Sequence, residues 1–239
     1  MQKVISRGMR FRLSPSNLVL LEDCPRCFWL HVIKKIRRPS GPVPSISIKM
    51  DSIIKRYFDR YRRKGRLPPI IEGKIKGKLA SNMPKTLQHI ENEHIILWGR
   101  PDEYIVTDDE TIIALDHKTK SKEPDVIPSA YKLQLDVYSY LLKHNGYKTA
   151  NKAYLAFYYP SESEIHKGMN IKCSVIEVET DPSRVKKLVK KATEILMGPM
   201  PEASENCEYC KWLSEVNQRI DERKKIKKTY QVKPLWLFG

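Results

Sequence analysis

At 239 residues the chain is long enough to bury a substantial core, and a 41% hydrophobic content with four Trp and twelve Tyr excludes a disordered protein. Its formal charge of +16 is concentrated at the ends: residues 1–66 hold 17 basic and 4 acidic side chains, residues 211–239 hold 8 and 3, and the stretch between is nearly neutral. Flanks of that sign suit a polyanion, because each phosphate neutralised releases condensed counterions. No apolar run approaches the length of a membrane span and the opening MQKVISRGMRF lacks the apolar core of a signal peptide, so a cytoplasmic protein with no membrane partner is expected.

In chain order, Leu13-Ser14-Pro15-Ser16-Asn17 ahead of an apolar run predicts a helix capped by Ser14 or Ser16 and carrying Cys24, with helix again from Phe28 to Ile36. A loop rich in Pro and Ser is expected over 39–47. Met50, Ile53, Ile54, Tyr57, Phe58 and Tyr61 then make one apolar stripe at a helical period, with Lys55, Arg56, Arg60, Arg62, Arg63 and Lys64 opposite and Gly65 at its end. Residues 66–93 suggest loops and a short basic helix. His94 to Trp98 reads as a strand entering Gly99, where the sheet is expected to begin. Glu103 to Thr107 and Thr111 to Leu115 read as an antiparallel hairpin turned by Asp108-Asp109-Glu110, with Asp116 ending its second strand. A loop over 121–127, a helix from Ser129 to Asn145 stopped by Gly146, strands at Lys152 to Tyr159 and Ile171 to Glu179, and an amphipathic helix from Pro182 to Leu196 complete the pattern. No GxxxxGK[ST] loop occurs, so no intrinsic ATPase is expected.

The hairpin would bring Asp102 and Asp116 together, and strand alternation puts Asp116 and Lys118 on one face and His117 on the other. Two carboxylates are hard oxygen ligands for Mg²⁺ or Mn²⁺, and an ammonium beside them could orient or deprotonate a water or offset transition-state charge: the group set of phosphodiester hydrolysis. Gln134 and Tyr138 share a helix face and would steady the water, Lys118 or a phosphate. The five cysteines include two pairs, Cys24/Cys27 and Cys207/Cys210, spaced as metal half-sites; Arg26, Lys34, Lys35 and Lys211 nearby would favour thiolates, whereas Cys173 reads as a buried strand residue.

Gly99-Arg100-Pro101-Asp102 (GxxD), Asp116-His117-Lys118 (DxK) followed by Thr119, and Gln134 to Tyr138 (QxxxY) together resemble the PD-(D/E)xK nuclease superfamily and, within it, the RecB-like branch that includes CRISPR-associated exonucleases. The resemblance implies an α/β fold with a restriction-endonuclease-like core, a mixed central sheet flanked by helices, and a cysteine-ligated metal centre joining the N- and C-terminal segments. It implies a single domain over 1–239, with its core at about 45–198, metal-centre segments at about 13–38 and 199–213, and a basic tail at 214–239. The activity implied is that of a Mg²⁺- or Mn²⁺-dependent deoxyribonuclease, an exonuclease on single-stranded ends, with Asp102, Asp116, Lys118, Gln134 and Tyr138 catalytic. The metal ligands implied are Asp102, Asp116 and the backbone carbonyl of His117. The resemblance further implies a [4Fe–4S] cluster on Cys24, Cys27, Cys207 and Cys210, with Zn²⁺ the alternative. Two departures stand out: the cysteines are divided two and two rather than one and three, and no His stands on the helix from Met50 to Tyr61, where Asp51, as a further ligand, or Lys55, as a phosphate contact, takes the nearest position. A nucleic-acid-binding or structural subunit of a helicase or CRISPR adaptation complex is the alternative reading.

Overall fold

The computed structural model describes residues 10–231 other than Val43, without the side chains of Ile165 and of 225–231. Most of the stretch read for a signal peptide and the last eight residues of the basic tail lie outside the described residues. The elements are β1 (Phe11–Leu13), α1 (Pro15–Asp23), α2 (Pro25–Trp29), α3 (Ser45–Arg62), β2 (Lys78–Leu79), β3 (Leu87–Ile90), β4 (Ile95–Gly99), β5 (Glu103–Val106), β6 (Ile112–Thr119), α4 (Ser129–His144), β7 (Lys152–Pro160), β8 (Ile171–Glu179), α5 (Pro182–Met197) and α6 (Glu208–Gln231). No helix among the described residues is long and apolar enough to cross a membrane.

The strands form two sheets, β1-β4-β3 and β2-β5-β6-β7-β8. In the larger sheet β6 and β7 run parallel and the other pairs antiparallel, with α4 as the crossover. Both faces of this sheet are covered, and its side chains divide with a period of two. Ala114, Leu155 and Phe157 meet Leu133 and Val137 of α4, while Ile113, Leu115, Ala156 and Tyr158 meet Ile54 and Phe58 of α3. Coverage on both sides explains why β7 reads Ala-Tyr-Leu-Ala-Phe-Tyr-Tyr without polar alternation.

Several boundaries differ from the sequence expectation. The sheet does not begin at β4: β1, β2 and β3 precede it, and β4 pairs with β1 and β3 rather than with β5. Pro101 in the bend after Gly99 cannot donate to a ladder, so the chain changes sheets there. The expected short basic helix is a series of turns over 69–77, where Gly73 and Gly77 take positive φ. Cys24 does not lie within the first helix but at a break: its N–H donates to Leu20 O of α1 and its carbonyl accepts from Phe28 N of α2. Ser14 supplies a capping box with Asn17. Asp116 is internal to β6, which continues to Thr119 against Phe157 and Tyr158. Ile53, expected on the apolar stripe of α3, is exposed.

Arg62, expected on the solvent face of α3, turns inward. Its Nε donates to Glu103 Oε2 at 3.1 Å, and the Glu103 carboxylate is 1% exposed. The pair fixes α3 over the start of β5. Removing one partner of a buried pair leaves an uncompensated charge, so Arg62→Ala should lower unfolding stability by about 3 kcal/mol. The Arg62→Leu, Glu103→Leu double variant should recover much of that loss; denaturant titrations showing no loss for the single variant would overturn the role.

Candidate active site and cysteine centre

The register of the hairpin, Glu103 opposite Leu115, sets Asp102 beside the continuation of β6 at Asp116 and His117. Asp102 Oδ2 accepts the backbone N–H of His117 at 3.0 Å, and its Oδ1 lies 3.6 Å from Lys55 Nζ. In a strand the N–H and C=O of one residue leave on the same side, so the His117 carbonyl is turned toward the Asp102 side of β6. The His117 ring points the other way, 4.4 Å from the ring of Phe58 and with Nδ1 3.2 Å from Tyr158 Oη.

Asp116 and Lys118 share the α4 face. Gln134 is the hub: its Nε2 donates to Asp116 Oδ1 at 2.8 Å and to Tyr138 Oη at 2.7 Å, while its Oε1 accepts from Lys118 Nζ at 2.8 Å. Tyr138 then donates to Arg100 O at 3.1 Å, closing the loop between Gly99 and Asp102. Gly99 is required by close approach, since a Cβ there would stand 3.0 Å from the Tyr138 ring and from Leu141. Burial of Asp116, 2% exposed, pushes its carboxyl up to about 6, with the charge of Asp102 adding and the Lys118 ammonium opposing. Burial likewise raises the Tyr138 phenol, which serves as a neutral donor.

Each acid is tied by one oxygen. Asp116 Oδ2 is buried without a directed hydrogen bond although Lys118 Nζ is 2.7 Å away, and Asp102 Oδ1 faces Lys55 beyond hydrogen-bond distance. These two hard oxygens, each ion-paired with a lysine and with a strand carbonyl near Asp102, fit the donor set of Mg²⁺ or Mn²⁺ if the ion displaces the ammonium groups from them. Asp51 reaches the site only through Lys55, which binds it at 2.9 Å; its side chain is 52% exposed.

Two features escaped the sequence reading. Tyr131 lies under both Lys118, 4.5 Å from its ring centre, and Lys120, 5.1 Å. The signal was there, since residues 131, 134 and 138 follow helical spacing. A recess of about 280 Å³ lined by Lys55, Arg62, Lys85, Arg100 and Asp102 opens beside the carboxylates; no sequence pattern links these residues.

At the other end of the α4 layer, Cys24, Cys27, Cys207 and Cys210 place their sulfurs within 4.8 Å of one another. Arg26 and Lys34 do not serve them: Arg26 bonds Pro201 O and Glu202, and Lys34 lies over Trp29. The cation present is Arg38, whose Nη2 is 3.3 Å from Cys207 Sγ, brought back by the left-handed turn at Lys35. Burial works against ionising Cys24, yet backbone N–H groups of Cys27 and Ser204 outweigh it and bring the thiol down to about 6. Burial, then the neighbouring thiols Cys27 and Cys207, push Cys210 up, and Cys27 is raised by burial. Four thiols this close cannot all ionise without a cation among them. Cys173 lies on β8, buried in the core under α3.

This chain belongs to the PD-(D/E)XK nuclease superfamily, whose model matches residues 49–214. No match was found among curated proteins. Among solved structures, SSO0001 is similar at 16% identity and a TM-score of 0.46, over 87% of this chain and 85% of that one. A phage-related exonuclease from Haemophilus somnus 129PT is similar at 11% identity and a TM-score of 0.42, over 80% and 82%. The alkaline exonuclease LHK-Exo from Laribacter hongkongensis is similar at 10% identity and a TM-score of 0.35, over 95% and 97%.

The raised Asp116 gives a signed pH dependence. A carboxyl whose native pKa of about 6 exceeds its usual 3.8 favours the native state fully below 3.8, and that contribution is lost as the pH rises through 6. A cation that needs the ionised form therefore binds against a proton below 6 and relieves the buried charge above it. Mn²⁺ should raise the melting temperature markedly at pH 8 and little at pH 5; equal shifts at both would show that Asp116 is not titrating at the cation site.

Proposed function

We propose that the chain is a Mg²⁺- or Mn²⁺-dependent deoxyribonuclease, an exonuclease acting on single-stranded DNA ends in the cytoplasm. The observation that carries this reading is the Gln134 hub, which holds Asp116, Lys118 and Tyr138 on one face beside Asp102, with the second oxygen of each carboxylate facing only a lysine ammonium that a divalent cation would displace. Asp102, Asp116 and the His117 carbonyl would hold the ion, which when bound polarises a phosphoryl oxygen and acidifies a water. Lys118, positioned by Gln134, supplies a positive donor to charge that develops on the phosphorus oxygens. Lys55 and Arg100 receive the flanking phosphate, and Tyr131 gives the bound strand an aromatic wall. The recess beside Asp102, about 280 Å³ and edged by Lys55, Lys85 and Arg100, offers a basic surface to a phosphate next to the carboxylates.

In this reading residues 1–239 form a single nuclease domain, and the four cysteines bind a metal that staples segments 13–38 and 199–213 together. Paired free thiols suit a reducing compartment. One observation favours a second, compatible role: Tyr209, Trp212, Leu213 and Ile220 are exposed on α6, a surface that a helicase or CRISPR-associated partner could cover.

The test is incubation of the purified chain with end-labelled single- and double-stranded DNA, with and without Mn²⁺. Stepwise shortening of the single strand is expected, dependent on Mn²⁺. Asp116→Ala should abolish it, and Lys118→Ala should lower kcat/KM by about 100-fold or more, with DNA affinity within a few-fold of the parent. Tyr138→Phe should cost less. Wild-type-like cleavage by the Asp116 or Lys118 variant would overturn the site. DNA affinity should also fall steeply with salt, since Lys and Arg line the path; salt-independent binding would refute the path.

A further inference from the structure

Four thiolates can hold a single tetrahedral ion or an iron–sulfur cubane, and the two differ in size. Around one zinc ion, bonds of about 2.3 Å at tetrahedral angles set the sulfurs about 3.8 Å apart. In a [4Fe–4S] cluster each thiolate binds a different iron, so the four cysteine sulfurs stand outside a body of eight atoms and are spread farther. Here Cys24 and Cys210 are 3.9 Å apart sulfur to sulfur, Cys27 and Cys207 3.6 Å, and Cys27 and Cys210 3.5 Å. With no separation above 4.8 Å, the centre of the sulfur tetrahedron lies within about 3 Å of every corner. That space takes one ion at ordinary metal–sulfur distance and has no volume for four irons and four sulfides.

The chain geometry agrees. Cys24 precedes α2, with Cys27 in its first turn, and its carbonyl accepts from Phe28 N at 3.0 Å. Cys207 precedes α6, with Cys210 in its first turn, and its carbonyl accepts from Lys211 N at 3.0 Å. The same local device is thus used twice, each giving two sulfurs to one point, and the two-and-two division of the cysteines follows from it. Arg38, which donates to Cys207 Sγ and pairs with Asp23, offsets part of the double negative charge that a divalent ion with four thiolates carries.

We propose that Cys24, Cys27, Cys207 and Cys210 bind one zinc ion, and that the [4Fe–4S] cluster implied by the family resemblance does not fit them. The proposal rests on the staple reading given above and refines its chemistry.

The experiment uses the full chain, produced in medium supplied with both iron and zinc and purified without oxygen. Elemental analysis, visible absorption and zinc-edge X-ray absorption are then recorded on the same sample. Expected are about one zinc per chain, no visible band, and a single sulfur shell near 2.3 Å with no neighbouring metal. Exchange with Co²⁺ should produce the intense charge-transfer bands of a tetrathiolate site. A brown protein with about four irons, or a chain with one iron, overturns the zinc assignment and leaves the staple standing. A chain that binds neither metal overturns both. Cys173→Ser should leave the zinc content unchanged, and loss of zinc from that variant would overturn the four-ligand assignment.

Discussion

A carboxylate buried as deeply as Asp116 destabilises the chain unless something answers its charge, and the site can be followed outward from that constraint. Its answer comes from both neighbours in the fold: Lys118, two residues along the same strand face, and Gln134, on the helix that carries the chain from β6 back to the parallel β7. Gln134 reaches the strand because Leu133, Leu135, Val137 and Leu141 are fully buried and allow α4 no rotation. Tyr138, one turn on, touches both Gln134 and Arg100 O, and its ring fills the space that a side chain at residue 99 would need. The glycine, the acids, the lysine, the glutamine and the tyrosine are therefore one packing unit. Their grouping in this sequence as three short motifs reflects three segments of chain meeting at one place.

The opposite face of β6 carries a different solution. His117 is sealed among Phe58 and Tyr158, and Glu103 is held by Arg62, so α3 is locked to the sheet by an ion pair as well as by Ile54 and Phe58. That lock is what brings Lys55 to Asp102. With Lys55, Arg100, Lys118 and Lys120 near the two carboxylates, much of the negative charge of the pair is offset by the protein itself. A histidine on α3 would have offered a cation a neutral ligand; the lysine at this place is a positive charge paired with Asp51 and facing Asp102.

The parts of this arrangement legible in the sequence are those governed by local rules. The hairpin turn, the α4 limits at Ser129 and Gly146, β7, β8 and α5 follow from periodicity and caps, and the meeting of Asp102 with Asp116 follows from the hairpin. The strands β1 and β2 were not legible because they span only three and two residues, too few to express a period, and exist through partners distant in sequence, while β3 is Leu-Gln-His-Ile, half of it polar, and shows as a strand only once paired with β4. Arg62 reads as part of the polar face of its helix and Arg38 gives no signal at all, because only tertiary structure supplies Glu103 and Cys207. The CxxC spacing pointed to a metal but carried no dimension, and it is the sulfur separations that bear on which metal.

The two cysteine pairs meet across some 180 residues of chain, and a metal bridging them would restrict the unfolded chain by closing so long a loop. In the native state their reach is more local. The centre sits where α1, α2 and the start of α6 meet, and α1 bears on α4 and α5 through Leu18 and Leu21 and through Glu22, whose two carboxylate oxygens accept from Arg184 Nη2. Arg184 also contacts Asp136 Oδ2, and Asp136 Oδ1 accepts the Asp181 N–H at the head of α5. Asp136 stands two residues from Gln134 on the same helix. The cysteine centre is thus joined to the acidic site through the seating of α4, so a loosened centre would act on the precision with which Gln134 holds Asp116 and Lys118 while leaving those side chains in place.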